Sequence, residues 1–211
     1  MKIYDITATI SDNLPVFGDE RPTANKVFQI SNGDLYNFTK LHGTTHTGTH
    51  ADMPSHFIQN GTTCDSVALD YFYGRAKVLK IAATSHITKE QLECHSITEG
   101  DIILISVGQS GAMQDSILKQ DFIALAPCAA QYLIEKRVKT VGIDYLSVDP
   151  YESTDFFVHK ALLGNNIAIL EGLVLDHVPE GEYTLSALPL KIQDGDGSPV
   201  RAVLIYSETD L

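Results

Sequence analysis

The sequence has no tryptophan, only three cysteines and no long apolar run. The last two shortages each exclude a class of protein. Cys64, Cys94 and Cys128 are odd in number and form no CxxC pair, so neither a disulfide framework nor a thiolate zinc site is expected. No apolar stretch reaches the roughly 18 residues that cross a bilayer, and the amino terminus has no basic segment followed by an apolar run. These absences predict a cytoplasmic protein with no membrane partner.

Basic residues are also scarce. Fifteen Lys and Arg against 27 Asp and Glu give a formal net charge of −12, and no basic cluster could follow a phosphate backbone. Nucleic acid is therefore not an expected partner. The length of 211 residues and the hydrophobic fraction of 44% suit one large core. We predict a single domain over residues 1–211.

Potential metal ligands are concentrated in residues 46–57, which read HTGTHADMPSHF. Four of them fall at even positions, where an extended backbone would turn them toward one side: His46, His50, Asp52 and His56. Gly48 and Pro54 oppose a helix in this segment. A fully extended segment would spread its outer histidines over roughly 30 Å, whereas a ligand lies about 2.0 to 2.2 Å from its metal. The chain must therefore curl, which Gly48 permits.

Imidazole nitrogen and carboxylate oxygen suit Zn²⁺ and also Mn²⁺ or ferrous iron, whereas the lack of a nearby cysteine disfavours a closed thiolate site. Any one of these histidines alone is better explained as a hydrogen-bonded loop residue. Three histidines and one aspartate at this spacing favour a metal site instead. The expected cofactor is a divalent metal, with Zn²⁺ preferred over Mn²⁺.

The segment has the pattern His-x-Gly-Thr-His-x-Asp-x-Pro-x-His-Phe, through which the sequence resembles the metal-dependent cyclase family. This family includes bacterial kynurenine formamidases and isatin hydrolases. The resemblance covers nearly the whole chain and continues in residues 141–144 (VGID), Ser147, 149–150 (DP), His159, 162–163 (LL), 169–173 (ILEGL), 188–190 (LPL) and 197–202 (GSPVRA).

The resemblance implies five metal ligands, which are His46, His50, Asp52, His159 and Glu171. It implies one or two ions, with Asp52 and Glu171 bridging them and His159 binding the second. Glu171 also ends an apolar run, where a buried carboxylate needs a partner. His56 would be left uncoordinated and would carry a proton from the attacking water to the leaving nitrogen, which suits an imidazole with an unperturbed pKa of about 6.5.

The implied activity is hydrolysis of a C–N bond in a small amide, formamide, imide or lactam, that is, an arylformamidase-like amidohydrolase. A divalent ion lowers the pKa of bound water from about 15.7 toward 7 and polarises a carbonyl, so the chemistry is coherent. Two alternatives stay open: a metal-dependent cyclase or dehydratase, and a non-catalytic metal-binding protein. The excess of His and Asp over Cys favours an open, catalytic site.

One position departs from the family pattern. Kynurenine formamidases have a tryptophan in a Trp-Pro-Gly-Asp setting that helps to line the substrate pocket, whereas residues 16–19 here read VFGD. Phe17 takes the place of that tryptophan, and we expect it to bind substrate, although a core aromatic explains it equally well. The departure leaves the hydrolytic residues unchanged and the aryl substrate open.

The apolar patterns predict a mixed α/β fold. Strands are expected at residues 2–10, 76–83, 102–107, 140–143, 167–170, 184–192 and 202–206, and a hairpin at 27–31 and 36–45. Helices are expected at 67–73, 88–93, 127–136 and 156–163. Asp144, at the end of a predicted strand, is expected to be structural rather than catalytic. The resemblance implies a swivelling β/β/α layered fold, assembled as a homodimer or homotetramer.

Overall fold

The computed structural model describes residues 1–18 and 20–207. Asp19 of the predicted VFGD loop and residues 208–211 of the predicted domain lie outside the described residues. The strands are β1 (Lys2–Asp5), β2 (Thr23–Phe28), β3 (Phe38–His42), β4 (His50–Asp52), β5 (Tyr73–Lys80), β6 (His86–Ile87), β7 (Ile102–Ser106), β8 (Ala124–Leu125), β9 (Thr140–Ile143), β10 (Ala168–Glu171), β11 (Gly181–Ser186), β12 (Gly197–Pro199) and β13 (Val203–Tyr206).

The α-helices are α1 (Lys89–Glu93), α2 (Pro127–Glu135) and α3 (Phe157–Gly164). Short 3₁₀ turns occupy Ile30–Asn32, Pro54–His56, Leu69–Tyr71 and Ser110–Gln114. Within residues 1–18 and 20–207, no helix has the length and apolar character to cross a bilayer. The predicted helix at 88–93 is confirmed, and the side chain of Gln91 accepts the backbone N–H of Thr88 at 2.8 Å.

Nine strands form one mixed sheet in the order β1-β13-β11-β5-β7-β9-β10-β4-β12. The central strands β5, β7, β9 and β10 run parallel, and the strands on either side pair antiparallel. The predicted crossover from β7 through α2 to the parallel β9 is confirmed. The predicted single-domain α/β fold with a mixed sheet is likewise confirmed.

Apolar side chains fill both faces of the central sheet. In β7, Ile103 and Ile105 pack in the cluster that α2 and α3 cover, whereas Ile102 and Leu104 pack in a second cluster on the opposite face. The second cluster includes residues of β4 and of β13, which lie toward opposite ends of the strand order. The sheet therefore curls around this second core, and the end of β4 comes to the edge of the helix layer.

The structure differs from the sequence prediction near the chain ends and also in the hairpin, whose first strand is predicted at 27–31 and found at Thr23–Phe28. The predicted strand over 2–10 ends at Asp5, and the predicted strand over 184–192 is β11, which ends at Ser186 before Pro189 removes a backbone donor. Residues 193–199, predicted as a turn, contain the three-residue edge strand β12, which pairs with β4. The predicted helix over 67–73 is only the 3₁₀ turn Leu69–Tyr71.

Candidate metal centre

The segment that carries the predicted ligands is extended over only three residues. His50 and Asp52 lie in β4 with their side chains on the same side of the strand, while His46 lies in the preceding turn. The predicted curl at Gly48 is confirmed, since its φ is +68°, a conformation that glycine adopts without strain. His56 ends the 3₁₀ turn that follows β4. Extended backbone through all four positions, as the even spacing suggested, is not found.

Strand pairing brings Glu171 to the two ligands of β4. In the antiparallel register of β10 against β4, Glu171 lies opposite His50. Nε2 of His50 is 3.4 Å from Oε2 of Glu171 and 3.3 Å from Oδ1 of Asp52. All three side chains are buried.

The remaining two predicted ligands complete the cluster. Nε2 of His159, at the start of α3, is 3.2 Å from Oε1 of Glu171 and 3.5 Å from Oδ2 of Asp52. Nδ1 of His46 is 2.8 Å from Oδ1 of Asp52. The structure therefore brings together all five side chains predicted as ligands, although they come from segments more than 100 residues apart.

Each histidine of the cluster has its second ring nitrogen at another acceptor. Nδ1 of His50 is 2.9 Å from the carbonyl oxygen of Gly48, and Nδ1 of His159 is 2.6 Å from Oδ2 of Asp149. Nε2 of His46 is 3.1 Å from Oδ2 of Asp196. An acceptor on one nitrogen fixes the tautomer and leaves the other nitrogen free to bind a metal.

The cluster fits a divalent cation. Oδ2 of Asp52 is buried and has no hydrogen-bond partner within the described part of the chain, and an unpartnered carboxylate oxygen is costly to bury. Ligand atoms of His50, Asp52 and Glu171 lie within 4.8 Å of one another, as do those of the group His46, Asp52 and His56. Nitrogen and carboxylate oxygen suit Zn²⁺ or Mn²⁺. By position, His56 could act either as a ligand or as a proton carrier.

The protonation of the histidines separates His56 from the others. Burial opposes the charged form of His50, but the hydrogen bonds and charges of Asp52 and Glu171 outweigh it and raise the pKa of His50 to about 10. The pKa of His159 is raised well above its usual value, because Glu171 and Asp149 outweigh the same effect of burial. Burial instead lowers the pKa of His56 below its usual 6.5, which favours a neutral imidazole at neutral pH.

A cavity of about 440 Å³ opens onto the cluster. Its polar lining comes from Glu20, Thr44, His46, His50, His56, Ser147, His159 and Glu171, and its apolar walls from Val16, Phe17, Phe57, Leu146 and Phe156. This size and this mixture of walls suit a small molecule. A larger surface cavity of about 570 Å³, beside Tyr4 and Tyr183, contains none of the predicted ligands.

The structure places Phe17 at this cavity and not in the core. Its side chain is 48% exposed and stacks on Tyr151, with ring centroids 5.8 Å apart and planes at 17°. The edge of Phe122 lies against it, at a centroid distance of 6.2 Å. The core aromatic that the sequence left open as the alternative does not describe this position.

Two residues of the centre were given no role by the sequence. Asp149 was noted only as part of the Asp-Pro pair, and Asp196 fell in a segment predicted as a turn. An acidic residue shortly before a helix was the available signal for Asp149, whereas Asp196 meets His46 from 150 residues away. Asp144 is structural, as predicted, because its Oδ2 accepts the backbone N–H groups of Val107 and Gly108 at 3.1 Å.

This chain is similar to known proteins in both sequence and fold. The model of the Cyclase family matches residues 4–150. Kynurenine formamidase from Erythrobacter litoralis is 35% identical over 204 residues, which cover 96% of this chain and 93% of that protein.

Two solved structures superpose over nearly the full length. One, described as a potential metal-dependent hydrolase with cyclase activity, has a TM-score of 0.84 and 31% identity and covers 96% of both chains. The other, isatin hydrolase A from Labrenzia aggregata, has a TM-score of 0.86 and 25% identity and covers 98% of this chain and 94% of that chain.

Proposed function

Since the chain belongs to the Cyclase family, we infer that it is a metal-dependent amidohydrolase that cleaves the C–N bond of a small molecule. The observation that carries this inference is the convergence of three imidazoles on Asp52 and Glu171, at the floor of a cavity of about 440 Å³. A formamidase and an isatin hydrolase both cleave a bond between a carbonyl carbon and a nitrogen. The kynurenine formamidase and the isatin hydrolase favour neither a metal-dependent cyclase or dehydratase nor a non-catalytic metal protein.

We propose that five side chains hold one or two divalent ions: His46, His50, Asp52, His159 and Glu171. Zn²⁺ suits this set of nitrogen and carboxylate oxygen, and Mn²⁺ is the alternative. When bound, such an ion would act as a Lewis acid, which polarises the substrate carbonyl and acidifies a water molecule.

His56 is the proposed proton carrier. Its lowered pKa leaves a neutral ring with one basic nitrogen, which can accept a proton as the water oxygen attacks the carbonyl carbon. The same nitrogen then gives that proton to the amide nitrogen as the C–N bond breaks. The products are a carboxylic acid and an amine, or a carboxylic acid and an amide when the substrate is an imide, so one water is consumed in each turnover.

The cavity walls support a substrate with a flat apolar part. Phe17, Phe57 and Phe156 offer aromatic surface, on which a planar ring can stack. We propose that Phe17 binds this part of the substrate. N-formyl aryl amines, cyclic imides and isatin all combine a planar group with the scissile bond, and they form the panel to be tested.

The decisive experiment measures bound metal and hydrolysis of this panel on the same preparation. We expect hydrolysis of at least one compound, loss of it after chelation and recovery when Zn²⁺ or Mn²⁺ is added back. The variant His56→Ala should keep its metal while kcat falls by on the order of 10²-fold, and His86→Ala, an exposed histidine of β6, should behave as wild type. Loss of metal in His56→Ala would make His56 a ligand, and no hydrolysis by the metal-loaded protein would overturn the proposed function.

We further propose that the protein forms a homodimer or homotetramer through the β2–β3 hairpin. No strand residue of this hairpin is buried against the described part of the chain. A lone two-stranded hairpin is marginally stable, and a large exposed apolar patch marks an interface. The patch is formed by Val27, Phe28, Ile30, Leu35, Tyr36, Phe38 and Leu41.

Charge supports a second copy of this chain as the partner. Residues 23–42 contain two basic side chains and one acidic one, so their net charge is +1. The whole chain has −12, which leaves −13 for the remainder. A basic, apolar arm is complementary to the acidic body of a second copy.

The proposed catalytic domain spans residues 1–211, and its proposed location is the cytoplasm. Cys64, Cys94 and Cys128 are free thiols, which suits a reducing compartment.

A further inference from the structure

Asp196 contacts two histidines of the centre with one carboxylate oxygen. Its Oδ2 lies 3.1 Å from Nε2 of His46 and 3.3 Å from Nδ1 of His56. Its other oxygen, Oδ1, accepts the hydroxyl of Thr45 at 2.9 Å. A carboxylate oxygen has the capacity to accept two N–H bonds, so both histidines can donate to Oδ2 at once.

The backbone around Asp196 is fixed by the segment that follows β4. The backbone N–H of Met53 donates to the carbonyl oxygen of Asp196 at 3.0 Å. Cys64 holds the neighbouring residues, because its N–H donates to Gly195 O at 2.9 Å and its Sγ–H to Gly197 O at 3.1 Å. Three consecutive carbonyl groups are thus tied to the body of the protein, and the carboxylate between them is held in place.

The glycines on either side of Asp196 permit this close approach. A Cβ atom at Gly197 would lie 2.7 Å from Cε1 of His46, nearer than real Cβ contacts come. At Gly195 a Cβ would lie 3.0 Å from Cβ of Ile192 and 3.2 Å from Sγ of Cys64. Larger residues would push the loop away from the histidines, and with it the carboxylate.

We propose that Asp196 is a positioning residue for both His46 and His56. By accepting the Nε2–H of His46, it leaves Nδ1, the nitrogen beside Asp52, free to bind the metal. By accepting the Nδ1–H of His56, it leaves Nε2 as the unprotonated nitrogen. The role of Asp196 at His46 concerns metal affinity alone. Its role at His56 rests on the proposed function of His56 as proton carrier.

The tautomer of His56 decides whether it can begin the reaction. A ring protonated only on Nδ1 offers a basic Nε2, whereas a ring protonated on Nε2 has its basic nitrogen against the Asp196 carboxylate, where two acceptors would oppose each other. Asp196 therefore excludes the second form. Asp196 also restricts rotation of the His56 ring. It holds the ring of His46, which packs against the ring of His56 with centroids 4.1 Å apart.

The test compares Asp196→Ala and Asp196→Asn with Asp194→Asn in the Zn²⁺-loaded protein. Asp194 lies in the same loop, is exposed and has a φ of +53°, which asparagine tolerates, so it is a matched control. Nitrogen-15 NMR of labelled histidine rings reports the tautomer directly. In wild type and Asp194→Asn, we expect His56 to have a protonated Nδ1 and an unprotonated Nε2.

In Asp196→Ala, we expect a mixture of His56 tautomers and Zn²⁺ affinity lower by about 10- to 100-fold. At saturating Zn²⁺, kcat should fall by on the order of 10-fold or more while KM stays within a few-fold. Asp196→Asn should lie between, because its amide oxygen can accept the same two N–H groups but is uncharged and binds them more weakly. An Asp196→Ala protein with wild-type ring signals and wild-type Zn²⁺ affinity would overturn the proposal.

The readouts also distinguish this proposal from the proposed function. The ring signals and the Zn²⁺ affinity need no turnover, so they decide the role of Asp196 even if no compound of the panel is hydrolysed. Altered ring signals together with an unchanged kcat would instead overturn the proton-carrier role of His56 and leave the positioning role intact.

Discussion

The carboxylate of Asp149 binds His159 twice, through the ring Nδ1 at 2.6 Å and through the backbone N–H at 2.9 Å, both to Oδ2. Its other oxygen accepts the backbone N–H of Val158 at 3.0 Å. The two backbone N–H groups lie in the first turn of α3, where the helix itself offers them no acceptor. The N-cap residue, Phe156, has no side-chain acceptor either. One aspartate from the loop before α3 therefore caps the helix and sets the tautomer of a proposed ligand on it.

Replacing Asp149 by alanine should affect stability and metal binding together. Loss of a helix cap costs about 1 kcal/mol of unfolding free energy, and loss of the acceptor for a ligand histidine weakens metal binding by about 10- to 100-fold. Urea unfolding of the metal-free protein and competition with a chelator would measure the two effects. Asp155→Ala, an exposed acidic residue nearby, is the control, and unchanged Zn²⁺ affinity in Asp149→Ala would refute the prediction.

Metal binding should release protons. His50 has a pKa of about 10 in the metal-free protein, so its ring is charged at pH 7, and the pKa of His159 is shifted in the same direction. A ring nitrogen must be deprotonated to bind a metal. We expect at least one proton to be released per protein at pH 7, measured by titration calorimetry in buffers of different ionisation enthalpy. A binding enthalpy that does not depend on the buffer would contradict this expectation.

The metal-free protein should lose stability as the pH rises from about 6.5 toward 10. A histidine whose pKa is raised on folding stabilises the folded state fully below its unfolded pKa of about 6.5, and the effect is lost as the pH passes the folded value of about 10. The pKa of Asp52 is shifted in the opposite direction, because the neighbouring rings of His159, His46 and His50 outweigh burial. Its contribution is present above about pH 3.8 and is lost in acid.

Thermal unfolding after chelation, followed between about pH 2 and 10, tests this profile. The midpoint should be highest between about pH 4 and 6.5 and should fall on both sides. The variant His50→Gln should show a smaller decrease on the alkaline side, because glutamine does not titrate. A midpoint that rises steadily to pH 9 would contradict the raised pKa.

The sequence was sufficient to predict those elements and residues that are determined by a local pattern or by burial. The apolar run of β7 and the Thr88–Gln91 pair mark a strand and a helix start without knowledge of the rest of the chain. Glu171 was recognisable because a charge that ends an apolar strand needs a partner. The even spacing of the ligands, by contrast, was a weaker guide, since only β4 is extended.

What the sequence could not predict depends on long-range pairing. β12 has three residues, contains Pro199 and is stable as a strand only because β4 supplies its partner. The position of Asp196 follows from that pairing. Nothing in the local Asp-Gly-Asp-Gly pattern distinguishes a carboxylate that contacts two histidines from one that faces solvent, because turns commonly contain these residues.

Charges on the hairpin patch should separate the subunits. Phe28 and Phe38 pack on each other with ring centroids 6.0 Å apart, yet both remain at least 40% exposed. We expect the double variant with both residues changed to lysine to be monomeric, since two charges cannot be buried in an interface without partners. Light scattering would give the mass in solution. Ile117→Lys, at an apolar residue that is 75% exposed elsewhere, is the control.

A wild-type protein that is monomeric at micromolar concentration would contradict the proposed assembly. A double variant that stays dimeric would instead move the interface away from the hairpin. The fold should survive in the monomer, because the hairpin strands have no buried residue. Circular dichroism would verify that point before the masses are compared.

The side chain of Phe17 should act mainly on substrate binding. It is half exposed, lines the cavity and stacks on Tyr151. A stacked aromatic pair contributes about 0.5–1.5 kcal/mol, so Phe17→Ala should raise KM for an aryl substrate by about 2- to 10-fold and leave kcat nearly unchanged, as for loss of uniform binding. Tyr73→Ala, an aromatic residue that is 55% exposed outside the cavity, should leave KM unchanged.

The variant Phe17→Trp should change KM in the opposite direction from Phe17→Ala. A larger ring offers more stacking surface, so KM for N-formyl aryl amines should fall below the wild-type value if Phe17 contacts the substrate. A core position would respond differently, because an overpacked core typically loses 1–3 kcal/mol of stability. A lower melting temperature in Phe17→Trp, with KM unchanged in both variants, would therefore show that Phe17 packs against its neighbours and takes no part in choosing the substrate.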